Sequence, residues 1–285
     1  MTNSKIRCVR NSFFLAVCLA FAARQQAFAQ VDLVGDWQAI PGERDLAAEI
    51  ADYIGLPINE AARVHADAWM ASRLSLVEHQ CAPHVFTHMT RAPFPLRIST
   101  IRDPETQELT AITIYFKFME QTQTIWMDGR PHPSEFARHK WQGFSTGRWD
   151  RDVLVVSTTH LKRGWIKRNG VPESDRATST DHWMRHGNYL THTTYINDPV
   201  YLTEPLFRAD SYVLDPNIQG HWLYPCEPSV EENPSAKKGD VPNYLFGQNP
   251  FLQEYSAKHH VPFEASRGGA ETMYPEYQEK LKQKR

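Results

Sequence analysis

The chain has 285 residues, with 31 Lys and Arg against 33 Asp and Glu, a formal charge of −2. Removing the basic residues of its N-terminal segment leaves 27 basic against 33 acidic residues, a charge of −6. That balance argues against nucleic acid or another phosphate-rich partner. The length fits one sizeable domain with its own core.

The first residues have the pattern of a cleaved export signal. Lys5, Arg7 and Arg10 precede an apolar run at 13–23, and an Ala-Phe-Ala cleavage pattern ends at Ala29. The run is shorter than the ~20 residues that cross a bilayer, so no membrane anchor is expected. We therefore predict a signal peptide over 1–29 and a periplasmic or secreted protein.

Two cysteines, Cys81 and Cys226, lie beyond the predicted signal. In an oxidising compartment two cysteines more often pair than act chemically. A free or metal-bound thiol and two unrelated thiols are the alternatives. A bridge between positions so far apart would be worth roughly 2–4 kcal/mol.

The first predicted strand covers 31–40, and its Leu-x-Gly-x-Trp pattern ending at Trp37 is typical of the start of lipocalin-like barrels. A helical insertion over 46–77 follows. Asn59 is the expected N-cap of its second helix, Glu60 to Arg73.

From Leu96 onward the sequence has a strand-like pattern, with β-branched and aromatic residues between short turns. The predicted strands are LRISTIRD (96–103), TAITIYFKFME (110–120), TQTIWMD (122–128), GFSTGRW (143–149), DVLVVSTTHL (152–161), RATSTDHWMRH (176–186), YLTHTTYIND (189–198) and YLTEPLFRADSYVL (201–214). Spacing of about ten residues indicates an antiparallel meander. Because open edges aggregate, we expect it to close into a lipocalin-like β-barrel over 30–215.

The remainder, 216–285, is rich in proline and predicts irregular loops and short helices packed on the barrel. Asn249 and Pro250 are typical of a helix start, here before Phe251 to His260. A charged helix is expected after Pro275.

Three clusters of titratable side chains could carry chemistry. They are Glu78-His79-Gln80-Cys81 with His84 and His88; Asp128-Gly129-Arg130-Pro131-His132 with His139 and Trp141; and Asp175-Arg176 with Asp181, His182, His186 and His192.

We assign candidate catalytic roles within these clusters. His79 and His132 form the expected acid–base pair, because an imidazole exchanges protons near neutral pH. Asp128 would orient an imidazole and Arg130 would bind an anion or a developing oxyanion. His182 is a further candidate. The competing interpretation is structural, since Asp-Gly-Arg is an ordinary turn and a histidine between prolines can cap a carbonyl.

The histidine spacings match no standard zinc pattern, although three imidazoles could still converge inside a barrel and hold a metal ion. The sequence also lacks the G-x-S-x-G, Walker A and Rossmann glycine patterns. No organic cofactor is therefore expected.

The motifs EHQCAPH, WMDGRPHP, GFSTGRWDRDVLVVSTTHL and RNGVPESDRATSTDHWMRHGNYL resemble a family of secreted, mostly uncharacterised bacterial proteins. The resemblance covers nearly the whole chain after the predicted signal and implies a lipocalin-like barrel with a ligand cavity. Where members usually carry glycine in the hairpin turn, this chain has Arg151.

These observations favour an enzyme that acts on a small apolar or aromatic molecule by lyase, isomerase or hydratase chemistry. Tyr115, Trp126, Trp141 and Trp183 are the candidate walls of its site. A non-catalytic carrier using the same cavity is the alternative. A structural or partner-binding domain, with the polar groups dispersed outside, is the third interpretation.

Overall fold

A computed structural model describes residues 31–40, 49–70, 80–218, 226–228, 237 and 244–283. Its strands are β1 (Gly35–Ala39), β2 (Leu96–Arg102), β3 (Leu109–Phe116), β4 (Gln121–Trp126), β5 (Phe144–Asp150), β6 (Val153–Thr159), β7 (Gly164–Lys167), β8 (Val171–Glu173), β9 (Thr178–His186), β10 (Tyr189–Asn197) and β11 (Leu206–Leu214). Its α-helices are α1 (Glu60–Asp67), α2 (Phe86–Met89), α3 (Glu254–His259), α4 (Phe263–Ser266) and α5 (Pro275–Gln283).

Nine strands form a closed barrel in the order β1-β11-β10-β9-β6-β5-β4-β3-β2. Closure runs through β1, where Trp37 lies opposite both Leu96 of β2 and Leu214 of β11. The Trp37 side chain is fully buried, and its indole Nε1 donates to the Leu33 carbonyl at 3.0 Å. The predicted barrel is confirmed.

One strand pair departs from the predicted meander. β4 and β5 are parallel, with Ile125 opposite Ser145 and Trp126 opposite Thr146. A parallel pair needs a connection of a dozen or more residues to carry the chain back, and the loop 127–143 provides it. The barrel is therefore mixed, and the loop with the Asp-Gly-Arg-Pro-His motif is its crossover.

A two-stranded sheet, β7-β8, lies outside the barrel order, between β6 and β9 in the chain. The sequence analysis assigned no strand to this segment. Its buried side chains Ile166 and Val171 belong to a hydrophobic cluster that joins α1, the hairpin, the ends of β10 and β11 and the C-terminal segment. The cluster contains Ala51, Tyr53, Ile58, Ala62, Ala66, Ile166, Val171, Ile196, Leu202, Leu206 and Leu252.

The predicted N-cap at Asn59 is confirmed, because its side chain accepts from the Ala62 amide at 3.0 Å. The helix ends at Asp67 rather than at Arg73, and 71–79 lies outside the described residues. Near the C-terminus Asn249 accepts from the Phe251 amide at 3.0 Å, but the regular helix begins only at α3.

The Cys81–Cys226 disulfide is present, as predicted, and closes a sequence separation of 145 residues. In the described part of the chain, no helix has the length and apolar composition needed to cross a membrane. The predicted signal, residues 1–29, lies outside the described residues.

Candidate functional site

A pocket of about 470 Å³ lies beside the β7-β8 hairpin. This volume falls within the range of small-molecule sites, roughly 300–1,000 Å³. The residues that line it come from α1 and the segment after it, the hairpin, the loop after β10 and the C-terminal segment. They are His65, Ala68, Trp69, Arg163, Gly164, Trp165, Gly170, Pro172, Glu173, Tyr201, Tyr244, Leu245 and Phe246.

Two glycines bring the hairpin close to its neighbours. Gly170 has φ +92°, and a Cβ there would lie 2.6 Å from the Trp69 Cβ. A Cβ at Gly164 would lie 2.5 Å from a methyl group of Val85. Because glycine has no Cβ, the hairpin can pack directly against the segment after α1 on one side and the start of α2 on the other.

Buried polar contacts fix the hairpin turn. The Asn169 side-chain amide donates to the carbonyls of Glu49 and Asp52, both at 3.0 Å. The Lys167 ammonium forms a buried ion pair with the Asp52 carboxylate. These contacts hold the pocket wall in one position, which a binding site requires.

The walls of the pocket are mainly aromatic. Trp69 and Trp165 meet edge to face, with ring centroids 5.0 Å apart, and His65 meets Tyr201 in the same way at 5.7 Å. The backbone of Trp165 has a side-chain contact, since its carbonyl oxygen lies 3.0 Å from Nδ1 of His88. Such surfaces favour flat apolar or aromatic ligands.

Glu173 is among the residues that line the pocket, and its carboxyl group is buried. The residue is only 1% exposed, and its Oε2 accepts from the Thr87 hydroxyl at 2.6 Å. Its Oε1 is buried and has no hydrogen-bond partner among the described residues. Burial raises the pKa of Glu173 to about 8, although the Thr87 hydrogen bond and the charge of Arg208 oppose that shift.

Glu173 is therefore a neutral acid at pH 7, and the position of its proton follows from the contacts. The Thr87 hydroxyl donates to Oε2, so the acid proton is best placed on Oε1. A buried donor without an acceptor costs about 1–3 kcal/mol. Donation from Oε1 to a ligand would need a side-chain movement that exposes this oxygen to the pocket.

Behind Glu173, the barrel interior contains a compact group of charges. His192 Nε2 lies 2.9 Å from Asp181, its Nδ1 lies 3.7 Å from Asp210, and its ring stacks on Trp183 at 4.1 Å. Burial alone would lower the pKa of His192, but the hydrogen bonds and charges of the two aspartates outweigh it and raise the pKa.

Arg208 completes this interior group. Its guanidinium donates to the Thr87 carbonyl and lies 3.3 Å from the Thr90 hydroxyl. Burial lowers its pKa, and the charges of Asp210, Glu173 and Asp181 act in the opposite direction.

The sequence-derived candidates on the crossover loop lie at the barrel rim. Arg130 Nε donates to Asp128 at 2.9 Å, and its guanidinium stacks 3.6 Å above the Trp126 ring. The Arg130 hydrogen bond lowers the pKa of Asp128, and both side chains are substantially exposed.

His132 makes different contacts from this pair. Its Nδ1 lies 2.7 Å from the Thr159 hydroxyl and its Nε2 lies 2.8 Å from the Thr146 hydroxyl. Partial burial, followed by the charge of His160, lowers its pKa. The catalytic role of His132 stays a prediction.

The other candidates occupy separate places. His182 points away from the barrel interior towards Tyr195, while its neighbour Asp181 points inward, as strand alternation requires. His79 lies outside the described residues. Of the candidate wall residues Tyr115, Trp126, Trp141 and Trp183, the last is fully buried inside the barrel and the other three are half-buried.

Sequence reasoning missed Glu173 and gave no role to Asp181 or His192. Strand alternation could have found the last two, because buried positions on β9 and β10 recur every second residue. Glu173 had no such signal, since it ends a three-residue strand that contains proline.

No set of three or more His, Cys, Asp and Glu side chains in the described ranges is arranged to hold a metal ion. Comparison with family models, curated proteins and solved structures gives no match. The resemblance to a family of secreted bacterial proteins therefore stays a prediction.

Proposed function

We propose that this protein is an exported barrel enzyme that acts on a small aromatic or apolar molecule, with Glu173 as general acid. The observation that carries the proposal is a pocket with aromatic walls whose lining includes Glu173, a buried carboxyl group with one oxygen that has no hydrogen-bond partner among the described residues. A strongly perturbed pKa in a cleft is typical of acid–base groups in enzymes. The acid differs from the histidines that the sequence analysis favoured.

The chemistry that fits is proton transfer, as in lyase, isomerase or hydratase reactions. Glu173 would give its proton to a basic oxygen or carbon of the ligand and recover one from solvent after product release. His65, which lines the same pocket, is the imidazole that can accept a proton from the ligand. The aromatic walls would exclude water from the reacting atoms.

The experiment uses the chain without its predicted signal. Aromatic and terpenoid compounds are screened by native mass spectrometry, and each compound that binds is then incubated with the protein in deuterated buffer. Protonation at carbon leaves solvent deuterium in the product of an isomerase, and of a hydratase or lyase that works in the direction of addition. An elimination is detected instead by the mass lost from the compound. We expect incorporation with the wild type and none above the blank with Glu173→Gln, which keeps a neutral donor but has no acidic proton.

Glu105→Gln is the matched control, because it removes a carboxyl group from an exposed turn away from the pocket. It should incorporate deuterium like the wild type. Equal incorporation by Glu173→Gln and the wild type would exclude Glu173 as the acid.

A carrier is the second candidate function. It is favoured by the predominance of aromatic side chains in the lining, since a carrier needs an apolar pocket with one buried polar anchor. A carrier would return every bound compound unchanged and free of deuterium, and Glu173→Gln would still bind it.

Export itself is supported by the Cys81–Cys226 disulfide, because such bonds persist in oxidising compartments. Mass spectrometry of the protein recovered from the periplasm or culture medium tests it. The expected N-terminus is Gln30.

A further inference from the structure

Four side chains at the barrel rim, Thr146, His132, Thr159 and His160, form a continuous chain of hydrogen bonds, here called the rim relay. His132 Nε2 lies 2.8 Å from the Thr146 hydroxyl, and its Nδ1 lies 2.7 Å from the Thr159 hydroxyl. The Thr159 hydroxyl also lies 2.8 Å from Nδ1 of His160, whose Nε2 lies 2.9 Å from the Ser134 carbonyl. The rim relay therefore joins β5, the crossover loop and the end of β6.

The carbonyl at one end fixes the direction of every hydrogen bond in the rim relay. A carbonyl only accepts, so Nε2 of neutral His160 carries the proton and its Nδ1 accepts from the Thr159 hydroxyl. Because a hydroxyl has a single proton, the Thr159 oxygen accepts from Nδ1 of His132. That leaves Nε2 of His132 as an acceptor, and the Thr146 hydroxyl donates to it.

This is the arrangement of a hydroxyl nucleophile with its general base. A nucleophile within hydrogen-bond reach of a base, with a third group that orients the base, is the structural signature of nucleophilic catalysis. Partial burial, followed by the charge of His160, lowers the pKa of His132. The His132 imidazole is therefore neutral at pH 7 and can accept the Thr146 proton.

The Thr146 side chain lies on the outer face of the barrel. Its neighbour Ser145 is 1% exposed and points inward, where its hydroxyl accepts from the Gln123 side-chain amide at 3.0 Å. Strand alternation turns Thr146 outward, and both Thr146 and His132 are half-buried rather than enclosed in the core. A small electrophile therefore needs no opening of the barrel to approach Thr146.

We propose that Thr146 is a nucleophilic hydroxyl that takes an acyl group from a small ester, with His132 as its general base. Thr146 Oγ1 bonds to the ester carbonyl carbon while its proton moves to His132 Nε2, and the leaving alkoxide takes that proton and departs as an alcohol. Water then attacks the acyl-threonine with His132 again as base, which releases the acid and restores the hydroxyl.

Thr159 and His160 are positioning residues in this scheme, because their hydrogen bonds fix the tautomer of His132. The site does not rest on the proposed function, since no member of the rim relay is among the residues that line the pocket beside the hairpin.

The test uses para-nitrophenyl acetate, whose leaving group is coloured and whose acyl group is small. The chain without its predicted signal is mixed with this ester at pH 7, and the release of nitrophenolate is followed by absorbance. Samples stopped in acid are digested and mapped by mass spectrometry. We expect an acetyl group on Thr146, which Thr146→Val should lose and His132→Gln should form roughly 100-fold more slowly.

Conservative variants separate the chemistry from folding. Thr146→Ser keeps the hydroxyl and should still be acetylated. Thr159→Val should lower the rate roughly tenfold, because His132 loses the contact that orients it, and Thr159→Ser should restore the rate. Thr122→Val removes a hydroxyl from an exposed position of β4 and should react like the wild type. Thermal unfolding checks that each variant folds.

Two results would overturn the proposal. If Thr146→Val releases nitrophenolate as fast as the wild type, or if only other residues are acetylated, Thr146 is not the nucleophile. If Thr159→Val reacts as fast as the wild type, the rim relay does not activate the hydroxyl. Neither result bears on Glu173, because the deuterium assay concerns another pocket and other compounds.

Discussion

The crossover loop 127–143 and the hairpin Gly164–Glu173 both carry polar groups next to barrel strands, but they satisfy them differently. In the loop, Asp128 pairs with Arg130, and both nitrogens of His132 contact threonine hydroxyls. In the hairpin, Glu173 keeps a buried oxygen without a partner among the described residues. The dense cluster of titratable side chains therefore belongs to a connecting loop, in which the polar groups have partners. The pocket lining instead contains one carboxyl group with an unpartnered oxygen.

The largest expected destabilisation comes from the glycines of the two regions. Gly129 and Gly170 both have positive φ, +75° and +92°, but a Cβ at Gly129 would meet nothing within 4 Å, whereas one at Gly170 would overlap Trp69. Gly170→Ala should therefore destabilise the fold by about 3 kcal/mol, and Gly129→Ala by about 1 kcal/mol. Urea unfolding measures both, and equal costs would mean that the hairpin is not tightly packed.

The second comparison uses pH. The pKa of Glu173 is raised to about 8 in the folded chain, from an ordinary value of 4.5. Below the unfolded pKa the carboxyl group is protonated in both states and does not change the free energy of unfolding. As pH rises towards 8 the unfolded state loses this proton first, so the free energy of unfolding falls. Glu173→Gln should therefore unfold like the wild type near pH 4.5 and be more stable by about 2–4 kcal/mol near pH 8.5.

Asp128→Asn is the matched control for that pH series. The pKa of Asp128 is lowered, so its contribution is present above the unfolded pKa and is lost only as pH falls through the folded pKa. The difference between Asp128→Asn and the wild type should stay constant over the range in which Glu173→Gln gains stability. A flat profile for Glu173→Gln would show that Glu173 is ionised in the fold.

The smallest expected effect belongs to His132→Ala. The loss of two hydrogen bonds at a half-buried site should cost about 1–2 kcal/mol, and ligand binding and turnover in the Glu173 pocket should be unchanged. Unfolding and the deuterium assay measure both quantities. Loss of turnover in a folded variant would instead support the role that the sequence analysis gave to His132.

Much of the fold was predictable because it depends on local patterns. The period-two alternation located the barrel strands, Asn59 located the start of α1, and the two remaining cysteines form the predicted disulfide. The parallel pairing of β4 with β5 was not predictable, because strand direction depends on the path of the connecting loop.

The candidate site was less predictable for a related reason. The hairpin that carries Glu173 has two short strands, with a proline in the second, so it has no clear periodicity. The pocket also joins segments that are distant in sequence, from α1 to Phe246. Residue type alone gave more weight to histidines, whereas the perturbation of Glu173 depends on burial that only the folded chain provides.

Closure of the barrel through β1 has a consequence for the folding kinetics. The first strand hydrogen-bonds with the last, so the ring can be sealed only after the chain beyond Leu214 has been synthesised. Contacts between positions so far apart in sequence slow folding, because the entropy of loop closure is lost before the contacts form. We therefore expect the barrel to fold slowly and only after synthesis of its last strand.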